Sequence, residues 1–196
     1  MTFQEHTYLR RQILSSHWTI EDMVYGSIGT NPNTGKHAIN SHFRQNNAAY
    51  QSALPAAVKA IRKEWNNIIY PHPVDFEDLY ERVKKYIASI EGVGLVVLYD
   101  VSLNIGCNLY PKVLPDKYVY LHGTTCPVFK SAAKLLPESK LDPVKVDVKL
   151  FQDIFPYESA MEIEDILCCY NDDIMNDRFT TKSLALLPSD DIAISS

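Results

Sequence analysis

Ile87-Ala88-Ser89-Ile90-Glu91-Gly92-Val93-Gly94-Leu95-Val96-Val97-Leu98 joins two stretches of different character. Before it, Phe76, Leu79, Val83, Tyr86, Ile87 and Ile90 recur at the spacing of an amphipathic helix. After it, Leu95 to Ile105 is apolar on nearly every side, the mark of a helix buried all round. Two of the chain's seven glycines fall between these stretches, around a single valine. Glycine there permits φ > 0 and a close approach of backbone amides to something outside. The stretch reads as a tight helical hairpin, with Gly106 as the residue that ends its second helix.

Working outward, Asp75-Phe-Glu-Asp78 supplies a cap for the first hairpin helix. Pro71-His-Pro73 breaks whatever precedes it and marks a boundary. Upstream, a first helix holds Phe3, Leu9, Ile13 and Leu14, and Thr19-Ile-Glu-Asp22 opens a short second one through Tyr25. Gly26 to Lys36 is loop, helical spacing runs from Ala38 to about Leu54, and Pro55 suits the first turn of another helix reaching Tyr70. Downstream, Tyr118 to Leu121 has strand-like residues but no evident partner, so it reads as an extended connector or a helix start. Pro127 to Leu136 reads as a helix capped by Thr125 or Cys126. Val146–Phe155 and Glu158–Tyr170 read as two more, split by Pro156. In the last, Met161, Ile163, Ile166 and Leu167 point inward, while Glu162, Glu164 and Asp165 form a solvated acidic face. The pattern decays from Asn171, and 183–196 reads as a mostly disordered tail. The expected fold class is all-α, a multi-helix globular bundle of about eight helices. Residues 1–70 form an N-terminal helical layer, 71–170 the hairpin-containing core in one domain with it, and 171–196 a largely disordered tail.

Composition narrows the function classes. The chain is 46% hydrophobic and 22% charged, ordinary for a globular domain with a core of its own. Net charge is −5, so no overall field draws it to nucleic acid. The balance is uneven, +3 over residues 1–70 and −8 over 71–196, which places any polyanion contact in the N-terminal half. The four cysteines contain no C-x-x-C pair, a poor framework for disulfides or zinc. The N-terminus lacks the apolar segment of a secretory signal, and Leu95–Tyr99 is too short to span a bilayer. A cytoplasmic setting, with no membrane partner, is the expectation.

Ile87-x-x-Ile90-x-Gly92-Val93-Gly94, followed by an apolar helix, resembles the helix-hairpin-helix motif of DNA glycosylases, branch-migration proteins, repair nucleases and polymerases. The resemblance covers residues 83–105. It implies that amides of Gly92, Val93, Gly94 and Leu95 hold a DNA phosphate without reading sequence. Two departures stand out. Glu91 occupies the place where the family often has proline, and Leu95-Val96-Val97 replace the usual basic or hydroxyl residues. Among glycosylases of that family the resemblance also implies a catalytic aspartate about twenty residues beyond the hairpin. Asp116 matches that spacing, but Leu121 stands where the family segment has arginine, and Val96 where lyases carry lysine. The plainer reading of Asp116 is a solvated loop carboxylate between two prolines.

Other constellations are weaker. Asp100 lies in the apolar second hairpin helix and needs a partner, because an unpaired buried carboxylate is costly. His122 or Tyr120 could supply it, either as an acid–base pair or as a structural stitch, and the stitch is preferred. His37 and His42 are five apart and do not share a helix face, so with His17 they could form a metal site only by chance of the fold. The spacing of Gly29 and Gly35 fails as a phosphate loop. Trp18 and Trp65 read as core, and no metal site or cofactor is expected. The leading expectation is non-enzymatic, sequence-independent binding of the DNA phosphate backbone. The alternatives are a glycosylase-like repair enzyme using Asp116 and a protein–protein interaction module.

Overall fold

The computed structural model describes residues 19–25 and 48–180. The readings of residues 1–18, of the Gly26–Lys36 loop, of the helix from Ala38, of Trp18 and the histidines at 17, 37 and 42, and of the tail lie outside these residues. The described chain is mostly helical, with one small sheet. In order it forms α1 (Ile20–Tyr25), α2 (Ala48–Ile69), α3 (Phe76–Ile87), α4 (Leu95–Asn108), β1 (Tyr118–Tyr120), α5 (Pro127–Leu135), β2 (Lys145–Asp147), α6 (Ala160–Cys169) and α7 (Asn171–Met175).

Helices α3 and α4 form on either side of the glycine turn and pack against each other. Asp75 caps α3 by accepting from the Asp78 amide at 2.9 Å. Acidic Glu77 and Asp78 sit in the first turn and Lys84 and Lys85 in the last, each complementing the helix dipole. The fork of Arg82 grips Asp78 one turn back, at 2.9 and 2.7 Å. Its third nitrogen reaches the carbonyls of Ile68 and Pro71, satisfying acceptors at and beyond the end of α2. Phe76, Leu79, Tyr80, Val83 and Ile87 are buried, and α4 packs against them. Asn104 on α4 donates to the Met23 carbonyl at 2.8 Å, holding the end of α1 on the hairpin.

Several boundaries differ from expectation. The first hairpin helix stops at Ile87 rather than Ile90, and Ile90 N–H turns tightly back to the Ile87 carbonyl. Pro55 does not begin a helix. It lies within α2 on the exposed face, where the carbonyl it leaves without a donor can be met by water. Gly106 is not a terminal residue either. It lies inside α4 because the segment after the helix folds back across it, and the Val113 amide bonds to its carbonyl at 3.0 Å. A Cβ there would sit 2.0 Å from the Val113 carbonyl oxygen.

The larger correction concerns residues 118–155. Tyr118–Tyr120 is a strand with a partner, antiparallel to Lys145–Asp147 in the register Tyr118↔Asp147, Val119↔Val146, Tyr120↔Lys145. The expected helix from Val146 to Phe155 is therefore β2 followed by a 3₁₀ turn over Val148–Phe151. The strand separates two hydrophobic cores, and its alternation serves both. Tyr118 and Tyr120 pack on the α1–α4 core, while Val119 and Leu121 join the core built with α5 and α6. Asn171 onward does not simply decay, since α7 follows directly and buries Ile174.

Candidate functional site

The turn between α3 and α4 has the conformation its glycines permit. Gly92 holds φ 91°, the left-handed region that favours glycine. Gly94 is the N-cap residue of α4, extended at φ −98° and ψ −179°, and a Cβ placed on it would meet nothing within 4 Å. Gly94 has no side chain with which to cap α4. The amides of its first turn, beginning at Leu95, therefore lack an intrahelical acceptor and lie at the positive end of the helix dipole. The Val93 amide is not among the available donors, because it bonds to the Ile90 carbonyl at 3.0 Å. The polar setting is thin. Glu91 is exposed beside the turn, and α4 carries no Lys or Arg.

Asp116 lies elsewhere. It is exposed next to Lys117, whose ammonium bonds to Asp75 at 2.7 Å at the start of α3. Its charge reaches Glu77, also in the first turn of α3. The Gly92–Gly94 turn follows the other end of that helix, about 18 Å away at 1.5 Å per residue. The sequence spacing that suggested a hairpin-plus-aspartate site therefore does not translate into proximity.

Asp100 and His122 both turn their side chains into the interior. Asp100 is buried on α4, as its apolar surroundings require. His122 follows β1 with φ 63°, and Gly123 after it has φ 95°. A left-handed histidine is uncommon and costs backbone energy. The Gly123 amide closes the bend by bonding to the Pro143 carbonyl at 2.7 Å. The imidazole, 3% exposed, stands 4.9 Å from the Tyr99 ring and bonds through Nε2 to Glu164 Oε1 at 3.1 Å. Tyr120, the other candidate neighbour of Asp100, points its hydroxyl at Glu77 at 3.5 Å.

Glu164 and Asp165 do not lie on the solvated face expected for them. Both are buried, at 6% and 3%. The signal was available: apart from these two, residues 163–170 are all apolar or sulfur-bearing except for the Tyr170 hydroxyl, the same context that marks Asp100 as inward. Glu162, the third member of that face, is exposed and takes part in a capping box, accepting from the Ser159 amide and hydroxyl at 2.7 Å.

Two thiols border this region. Cys126 is the N-cap residue of α5 and makes no capping hydrogen bond. Burial pushes its pKa up, the nearby Val128 and Phe129 amides pull it down, and the charges of Glu164 and Asp100 push it up again. Burial likewise raises the Cys168 thiol, helped by Glu164. Neither thiol is activated as a nucleophile. Among the described residues, no three His, Cys, Asp or Glu side chains gather as a metal site, and no helix is long and apolar enough to cross a membrane.

The sequence matches no protein-family model. It matches no curated protein and no solved structure.

Proposed function

We propose that the chain is a binding protein that holds nucleic-acid phosphate, without reading sequence, at the turn between α3 and α4. One observation carries this reading: Gly94 is exposed with open space where a side chain would stand, in front of an uncapped helix N-terminus. Such a terminus accommodates an anion through amides and dipole alone. The resemblance of Ile87–Leu98 to the helix-hairpin-helix motif supports the same ligand. A repair activity centred on Asp116 draws no support from the geometry, since that carboxylate stands at the far end of α3.

The test is retention on duplex DNA at low salt. Binding should fall steeply with salt, because each phosphate contact releases counterions. Gly94→Glu puts a carboxylate in front of the amides without crowding any neighbour, and should weaken duplex binding at least tenfold. Gly94→Ala should bind as the parent does, because its Cβ fits the open space. Undetectable duplex binding by the parent chain, or a Gly94→Glu variant that binds equally well, refutes the proposal.

A further inference from the structure

We infer that the outer face of α2, together with the two tyrosine loops beyond its end, is a track for single-stranded nucleic acid. Ala57, Ile61 and Ile68 turn one face of α2 into the core. Opposite them, Lys59, Lys63 and Tyr70 recur four and seven residues apart, so the helix and its continuation bring them onto one line. All are exposed, and Arg62 flanks the line, exposed as well. The helix carries one acid, Glu64, mostly covered and 3.6 Å from the Lys63 ammonium, which stays largely exposed beside it.

At the far end the stripe meets two aromatic side chains with little to cover them. Tyr70 is 79% exposed and Tyr110 97%. Their loops are tied together by His72, whose Nε2 lies 3.0 Å from the Pro111 carbonyl oxygen. Lys112 adds a further exposed cation beside Tyr110. Asp78 is paired with Arg82 and Asp75 with Lys117. Two accessible rings at the end of a cationic stripe suit a strand whose bases are free to stack and whose backbone is anionic. A duplex offers only its backbone to such a surface. The net charge of −5 does not oppose this, because at physiological salt a phosphate responds to charges within about 8 Å.

The inference is independent of the Gly94 turn, which uses other atoms beyond the C-terminal end of α3. The test uses the full chain and fluorescein-labelled oligo(dT) and oligo(U) of about 15 nucleotides, read by anisotropy. Saturable binding to at least one of the two strands is expected. Tyr70→Ala with Tyr110→Ala should weaken it roughly tenfold or more, and the matching Phe pair should restore it. Lys59→Gln with Lys63→Gln should reduce the log–log salt slope by about 1.4. Gly94→Glu should leave these affinities unchanged, and the tyrosine pair should leave duplex retention unchanged, so the two ligand readings fail separately. No saturable binding to either oligonucleotide, or full affinity in the alanine pair, overturns the inference.

Discussion

His122 Nε2 lies 3.1 Å from Glu164 Oε1, with both side chains buried, and this contact joins the end of β1 to α6. Because the His122 ring also packs against Tyr99 of α4, it links the helical hairpin to the second core. Removing the imidazole strips a buried carboxylate oxygen of a donor, which typically costs about 1–3 kcal/mol. His122→Ala should therefore lower stability by about 2 kcal/mol or more in urea denaturation. A double-mutant cycle with Glu164→Gln should give a coupling of about 1 kcal/mol. A coupling near zero would mean that the pair contributes only packing.

Gly106 and Gly94 differ in what an added methyl group would meet: backbone at the first, open space at the second. In a helix interior, Gly→Ala gains about 1 kcal/mol from propensity alone. At Gly106 the added carbon would stand 2.0 Å from the Val113 backbone oxygen, which cannot swing aside as a side chain end could. The returning segment must then move, losing the Val113 amide bond to Gly106. Overpacking of this kind costs about 1–3 kcal/mol, and the lost bond about another. Gly106→Ala should thus be destabilised by roughly 2 kcal/mol net. Thermal melts of Gly106→Ala beside Gly94→Ala check this, and a neutral Gly106→Ala would show that the 109–115 segment is not held closely on α4.

These contrasts show what the sequence disclosed. The hairpin was readable because α3 repeats apolar residues at helical spacing and because α4 admits one carboxylate among its apolar residues. The sheet was not, since its two strands are short and lie far apart in the chain, and nothing local to Tyr118–Leu121 announces Lys145–Asp147 as its partner. The burial of Glu164 has a local signal in the apolar run around it, although acids on helices mostly face water. The expected pairing of His122 with Asp100 rested on the same logic that finds Glu164, but α6 supplies the observed bond, and its position over the strand is a tertiary fact.

Asp75 gives a pH prediction. Its carboxyl is held below the usual range, first by the hydrogen bond from Lys117 and then by the Asp78 amide. A depressed folded pKa contributes stability that is present above the unfolded value near 4 and is lost as pH falls through the folded value. Asp75→Asn keeps a capping side chain but loses the charge. It should be slightly less stable than the parent at pH 7, and the difference should vanish once the pH has fallen below the folded value of Asp75. Glu77 works in the opposite sense, because burial raises its pKa and makes its charge unfavourable at neutral pH. Urea midpoints from pH 7 to pH 2 test the Asp75 variant, and a difference that persists to the lowest pH would assign the effect to the cap instead of the charge.

Cys126 decides whether thiol chemistry belongs in any account of this protein. It stands at the N-terminus of α5, a position that lowers a thiol's pKa when the amides reach it. Here burial is the larger influence, and Glu164 and Asp100 add to it, so the pKa is raised despite the amides of Val128 and Phe129. Less thiolate at neutral pH means slower attack on an alkylating agent. In native protein at about pH 7.5, iodoacetamide should modify Cys126 at least tenfold more slowly than the same residue in urea, as followed by peptide mass spectrometry. A native rate equal to or above the unfolded one would mean that the helix amides prevail. Cys126 would then be a nucleophile close to a histidine–glutamate pair, and a binding role alone would no longer be a sufficient description of the chain.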